Sequence, residues 1–273
     1  MMLKFLLAGE GGQGIQTIAK AFAKATAAAG YECTYIPAFG VEQRGTPSVA
    51  FITISDKEIR YPRFDEADYA IILQRRAVKA VVDYITPNTK VVFDSSTTKW
   101  ADLPKNATHI FGVPATKYAF EKFTPRAFNM IVLGKISKIA DLPEAKVWEI
   151  IMALLGKKFK TKEIEEKNHE AFQFGREVVF ETKDFTEATF VPDVKNFIFK
   201  GYGKKGEVVP TRCKGCGICI FKCPVGALKF GTELGVYATP VPEIDLEKCI
   251  ACGNCFRFCP DSAIKVEKEG DRL

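Results

Sequence analysis

The chain has 273 residues, 47% of them hydrophobic and 26% charged, with a formal net charge of +6. That length suits one large domain plus a small one, and the balance is that of an ordinary globular chain. The mild positive charge gathers into no basic stripe, which argues against nucleic-acid binding, and no run approaches the roughly 20 apolar residues needed to cross a bilayer.

The first apolar run, Leu3–Ala8, reads as a strand. It is too short for a secretion-signal core and leads straight into glycines, so a cytoplasmic chain is expected. A helix is expected over Gly14–Ala28. Between the two, Gly9-Glu10-Gly11-Gly12-Gln13-Gly14 satisfies G-x-G-x-x-G, and Glu32 follows 18 residues past Gly14. Glycines there let backbone N–H groups at a helix N-terminus approach an anion, in outline a dinucleotide site. The same residues also suit a tight turn that binds nothing, or one that packs on a neighbouring subunit.

Further strands are expected at Glu32–Ile36, Ser48–Ser55, Tyr69–Leu73, Lys90–Asp94 and Thr108–Phe111. Helical patterns cover Arg75–Ile85, Pro125–Lys138, Glu144–Leu155 and Thr161–Glu181. Such interleaving predicts an α/β domain over residues 1–182, with three layers and a sheet covered on both faces. The sheet is largely parallel or mixed, since Thr46–Ile59 reads as strand, turn and strand. Cys33 reads as a core thiol. Asp94-Ser95-Ser96 ends a strand and reads as a cap on the next turn. His109 and His169 have no partner in the pattern that would make either a catalyst.

Residues 183–209 change character, ending in Gly201-Tyr202-Gly203-Lys204-Lys205-Gly206, and read as a linker. Residues 210–273 hold an internal repeat. Cys213–Phe230 superimposes on Cys249–Val266 with a shift of 36, which pairs Cys213 with Cys249, Cys216 with Cys252, Cys219 with Cys255 and Cys223 with Cys259.

Each half reads C-x-x-C-x-x-C-x-x-x-C-P. A cubane needs four thiolates, and a tight loop with three-residue spacing supplies three of them. The fourth Cys of each run ligates the other cluster in two-cluster bacterial-type ferredoxins. The expectation is therefore two [4Fe–4S] clusters, one on Cys213, Cys216, Cys219 and Cys259, the other on Cys249, Cys252, Cys255 and Cys223. Crossed ligands would staple a small α+β domain whose core is limited. Short helices are expected at Val225–Leu228 and Asp261–Ile264, with Ile218, Ile220, Ile250 and Phe256 keeping water off the clusters. Zinc sites use separated Cys pairs and have no need of this doubled run.

The N-terminal part resembles the gamma subunit of 2-oxoacid:ferredoxin oxidoreductases. The matching residues are Gly9–Gly14 with Gln13 and Ile15, the run Pro37-Ala38-Phe39-Gly40-Val41-Glu42-Gln43-Arg44-Gly45, Ile54-Ser55-Asp56, Asn129-Met130 with Leu133-Gly134, and Glu166-Lys167-Asn168 with Glu170-Ala171-Phe172. The C-terminal part resembles the delta subunit, a two-cluster ferredoxin-like chain, so the whole is similar to a fused gamma–delta subunit. The Gly40–Gly45 form is similar to the pyruvate and branched-chain ketoacid branch. The resemblance implies oxidative decarboxylation of a 2-oxoacid on alpha and beta type partners carrying thiamine diphosphate, magnesium and coenzyme A, with external ferredoxin as acceptor. This chain has no thiamine motif and no catalytic residue of its own; it would relay electrons within a hetero-oligomer. Gly9, Gly11, Gly12, Gln13, Gly14 and Arg44 then become contacts for coenzyme A phosphates or for a partner subunit. Pyruvate is the expected oxoacid, with 2-ketoisovalerate, 2-oxoglutarate or oxalate as alternatives. A self-contained NAD(P)H–ferredoxin electron-transfer protein using Gly9, Gly11, Gly14 and Glu32 is the rival reading, and an adaptor whose clusters only hold the fold is another.

Overall fold

The computed structural model of the chain describes residues 2–40, 46–124, 127–159, 161–180, 195–235 and 239–268. Contacts divide it into two units, Met1–Phe190 and Val191–Leu273.

In the first unit, β1 (Met2–Glu10) lies inside a six-stranded mixed sheet of order β2-β3-β1-β4-β5-β6. The other strands are β2 (Glu32–Phe39), β3 (Pro47–Ser55), β4 (Tyr69–Ile72), β5 (Lys90–Asp94) and β6 (His109–Val113). β3 runs antiparallel to both β1 and β2, while β1, β4, β5 and β6 are parallel. Successive side chains of a strand point to opposite faces. Phe5 and Leu7 accordingly enter one core, and Leu6 and Ala8 the other.

Helices cover the first face: α1 (Ile15–Ala28), α3 (Phe128–Ile139), α4 (Glu144–Leu155) and α5 (Lys162–Glu177). α1 buries Ile15, Ile18, Ala19, Phe22 and Ala25, one stripe of a 3.6-residue period. The sequence reading missed α2 (Ala115–Lys122), where only Ala115 and Ala119 are buried and no apolar stripe announces a helix. The second face differs from expectation. Arg75–Ile85 forms two 3-10 turns, Arg75–Ala80 and Val82–Tyr84, and Ala77, Val81 and Ile85 still cover the sheet.

In the second unit, residues expected as linker form a hairpin of β7 (Phe197–Gly201) and β8 (Lys204–Val208), with β11 (Ile264–Lys268) paired to β8. Tyr202 and Gly203 have φ of 53° and 63°, the two-residue turn whose twist matches a hairpin. β9 (Leu228–Leu234) and β10 (Pro240–Ile244) form a second ribbon. The short helices sit inside the cysteine runs, at α6 (Ile218–Phe221) and α7 (Asn254–Arg257), not after the prolines. Gly217 and Gly253, at φ 76° and 75°, start them; left-handed Gly226 and Ser262 break the expected positions. The core holds Val208, Leu228, Ile244, Ile264 and Val266 together with Cys213, Cys219 and Cys255.

Candidate metal centre and glycine loop

The 36-residue repeat is a repeat of backbone. Gly215 and Ala251 share φ near 61° and 52°, and Gly226 and Ser262 share φ near 61° and 50°. Each left-handed residue reverses the chain so that it wraps inward. The amide of Ala227 donates to Cys223 Sγ at 3.2 Å, and its counterpart Ala263 donates to Cys259 Sγ at 3.2 Å. Ala251 donates likewise to Cys249 Sγ at 3.4 Å. Amides aimed at sulfur stabilise anionic thiolates.

The cysteines sort crosswise. Cys213, Cys216, Cys219 and Cys259 line one cavity; Cys223, Cys249, Cys252 and Cys255 line another. Without a cation, burial, joined by negative charge on Cys213, Cys216 and Cys259, pushes the Cys219 thiol up to about 12. Burial pushes Cys255 up to about 11, with Cys249 and Cys252 acting the same way. Each cavity is lined by four sulfurs with no nitrogen ligand among them, a soft donor set whose chemistry fits an iron–sulfur cluster and which the bound iron would deprotonate. Ile250 lines the second cavity but is 54% exposed, and Phe256 is 46% exposed. Leu228, Ile244 and Val266 line that cavity from the core side.

One ion pair escaped the sequence reading. Lys214, 7% exposed, meets Asp261 at 2.8 Å beside the first cavity. The repeat offered a signal: Ile250 and Val225 occupy the equivalent positions, so a charge appears in each half where its counterpart is apolar.

At the glycine loop the chain fills its own turn. Gln13 accepts from the Glu10 amide at 2.7 Å and donates to Leu73 O at 3.2 Å. The Gly11 amide donates to Thr46 O and the Gln13 amide to Glu10 O. A Cβ on Gly9 would crowd the Ile15 side chain and stand 2.8 Å from Gln13 Oε1, so internal packing favours glycine there. Gly14 takes φ 80° against Asn129 on α3, and Gly12 has φ 106°. The Glu10 carboxylate is 2% exposed and paired with Arg76 at 3.1 Å. Glu32 is the first residue of β2, level with Met2 through Ser55. It therefore lies about 23 Å along the sheet from Gly9. The loop and Glu32 do not form the dinucleotide arrangement that their spacing suggested. Arg44 and the rest of 41–45 lie outside the described residues.

Asp94 acts as the cap expected of it. Its carboxylate accepts from the Ser96 amide at 3.0 Å and from both the amide and hydroxyl of Thr116. Burial, outweighing these bonds, pushes it up to about 6. Cys33 is half-buried against the main core, and burial pushes its thiol up to about 12. His169 stacks near Trp148 at 4.2 Å, and His109 stands exposed at the start of β6. Among the described residues no helix is long and apolar enough to cross a membrane.

Residues 4–178 match the family described as pyruvate ferredoxin/flavodoxin oxidoreductase, and residues 212–264 match the 4Fe-4S dicluster domain. The chain is 31% identical over 173 residues to the 2-oxoglutarate synthase subunit KorC of Archaeoglobus fulgidus, covering 63% of this chain and 85% of that protein. It is 29% identical over 182 residues to the pyruvate synthase subunit PorC of Methanothermobacter thermautotrophicus, covering 65% and 96%. Among solved structures, it is similar to the 2-oxoglutarate:ferredoxin oxidoreductase of Magnetococcus marinus with 2-oxoglutarate, coenzyme A and succinyl-CoA bound. There the TM-score is 0.58 and the identity 27%, over 64% of this chain and 30% of that one.

Proposed function

The chain belongs to the pyruvate ferredoxin/flavodoxin oxidoreductase family, and on that premise we propose that it is the electron-relaying gamma–delta subunit of a cytoplasmic enzyme oxidising pyruvate. The observation that carries the reading is the crosswise sorting of eight cysteines from two repeats into two cavities. Cys213, Cys216, Cys219 and Cys259 would hold one [4Fe–4S] cluster; Cys249, Cys252, Cys255 and Cys223 would hold the other. The clusters, when bound, supply one-electron carriers that match a two-electron oxidation to a one-electron acceptor. The chain's own part is to aim the amides of Ala227, Ala251 and Ala263 at sulfur, and to keep water out with Leu228, Ile244 and Ile264.

The carbon chemistry belongs to alpha and beta type partners bearing thiamine diphosphate, magnesium and coenzyme A, with external ferredoxin as the final acceptor. For Gly9, Gly11, Gly12, Gln13, Gly14 and Arg44 we favour a contact with a partner subunit over a coenzyme A phosphate, because Gln13 already fills the turn and bonds the Glu10 amide. The relatives are named for more than one oxoacid, so the substrate is read by experiment. The native complex, purified anaerobically, is offered pyruvate, 2-oxoisovalerate, 2-oxoglutarate, indolepyruvate and oxalate with a low-potential dye. Dye reduction dependent on pyruvate and coenzyme A is expected. A chain that purifies without partners and relays electrons from NADH would overturn the proposal.

A further inference from the structure

The two halves of the repeat are not equally covered. Over the first loop lies the β9–β10 ribbon: a Cβ on Gly215 would stand 2.6 Å from Thr239, and one on Gly217 would stand 3.1 Å from the Phe230 ring. The second loop has no such roof among the described residues. A Cβ on Gly253 would meet nothing within 4 Å, and Cys252 is exposed where its counterpart Cys216 is half-buried. The cause lies in the strands that follow. Val266, the counterpart of Phe230, turns into the core at 7% exposure because β11 pairs with β8 instead of folding back over its own loop.

Beside the bare loop stand two cations. Lys222 closes α6 and Arg257 ends α7, and these two helices pack together. The Lys222 ammonium lies 5.6 Å from the Phe221 ring centre and 5.1 Å from that of Phe258. Both cations are exposed and neither forms an ion pair among the described residues, in contrast to Lys248, held by Asp245 at 3.3 Å. Phe221 is 83% exposed.

We propose that electrons leave the chain through the Cys249–Cys255 loop, which with Lys222 and Arg257 forms the docking face for an acidic one-electron carrier protein. The proposal rests on the reading of the eight cysteines as cluster ligands. Transfer between proteins falls steeply with distance, so the loop that carries the exposed ligand residue Cys252 marks the exit. Permanent subunit contacts are large and apolar, whereas weak electron-transfer contacts are small and steered by charge. One loop, two single-turn helices and unpaired cations fit the second kind, and the cations fit a partner of opposite sign.

The test uses the full chain with both clusters present by EPR, reduced by dithionite and mixed with an oxidised, strongly acidic bacterial ferredoxin. No oxoacid chemistry is involved. The second-order rate is expected to fall steeply with salt, and Lys222→Glu with Arg257→Glu is expected to lower the low-salt rate about tenfold and flatten that salt dependence. Amide exchange at 249–257 should slow when the carrier binds. A chain that loads no clusters would overturn the ligand reading and this exit together. A loaded chain indifferent to charge reversal would overturn the exit alone. So would protection of 249–257 on assembly with the catalytic subunits, which would make this face a subunit interface.

Discussion

Gly134 on α3 and Gly175 on α5 are the point where the two helices touch backbone to backbone. A Cβ on Gly134 would fall inside contact distance of Phe172 O, and one on Gly175 inside that of Ile131 O. Side chains cannot give way here, because the obstacle is main chain on both sides. Gly134→Ala or Gly175→Ala should each destabilise the first unit by about 1–3 kcal/mol, through helices forced apart over the Phe172 core. Urea unfolding followed by helical circular dichroism would read this, and an unchanged midpoint would refute the close crossing.

Two helix ends use the same hydrogen-bond pattern with different residues. After α1, Gly30 at φ 93° donates to Ala27 O while Tyr31 donates to Thr26 O. After α3, Asp141 at φ 52° donates to Lys138 O while Leu142 donates to Ser137 O. Both are Schellman ends, and the left-handed position favours glycine. Asp141→Gly should therefore raise stability by about 0.5 kcal/mol, and Gly30→Ala should lower it by about 1 kcal/mol. Opposite shifts in thermal midpoint are the expected result.

The six strands of the first sheet were legible because each is a short apolar run ended by turn residues, as Val91–Phe93 before Asp94 shows. Their order was not. β3 inserts between β1 and β2 through pairings that no local pattern records, and Glu32, as the first residue of β2, starts at the end of the sheet away from the glycine loop. The spacing of Ala77, Val81 and Ile85 looks helical, yet the segment needs only to cover the sheet, and two 3-10 turns do so. Gly201–Gly206 looked flexible because glycine marks both linkers and tight turns; only the pairing of β7 with β8 around Tyr202 and Gly203 distinguishes them. The two cysteine runs were legible from spacing, while the crossing of their fourth cysteines is expected from two-cluster ferredoxins. The unequal covering of the two runs was not legible, since it depends on where β11 goes.

Asp94 gives the first unit a pH dependence of definite sign. Its carboxyl rises from 3.8 in the unfolded reference to about 6 in the fold, chiefly through burial. The folded state thus binds the proton more tightly. This contribution is full below pH ~4, is lost as pH rises through ~6, and amounts to at most about 3 kcal/mol. Asp94→Asn should remove that slope between pH 4 and 6, the interval set by these two values. Denaturation midpoints across the interval, compared between the two proteins, would read it; parallel curves would show that Asp94 is ionised throughout.

Lys214 and Asp261 tie a residue of the first run to one just past the second, beside the first cavity only. A buried positive charge favours the reduced, more negative form of a nearby cluster, and its carboxylate partner opposes this. Lys214→Gln should lower the potential of the cluster on Cys213, Cys216, Cys219 and Cys259 by an amount on the order of 50 mV, and Asp261→Asn should raise it. An EPR-monitored redox titration would show one signal moving and the other still. Equal movement of both would mean a general loosening of the unit.

The crossed ligation makes a prediction that an uncrossed one reverses. If Cys259 completes the first cluster, Cys259→Ser should damage the signal that Cys213→Ser also damages, and spare the one lost with Cys249→Ser. Cys223→Ser should behave in the opposite way. Because Cys213, Cys219 and Cys255 belong to the core of this small unit, loss of a cluster also removes part of what holds it folded. Exchange protection in β8 and β11 should weaken in every such variant, while that of β1 and β4 in the other unit stays as it was. Iron content near half of normal, with the surviving EPR signal matched to the partner set, is the expected outcome. Cys259→Ser damaging the signal of Cys249, Cys252 and Cys255 instead would mean that each run closes on itself.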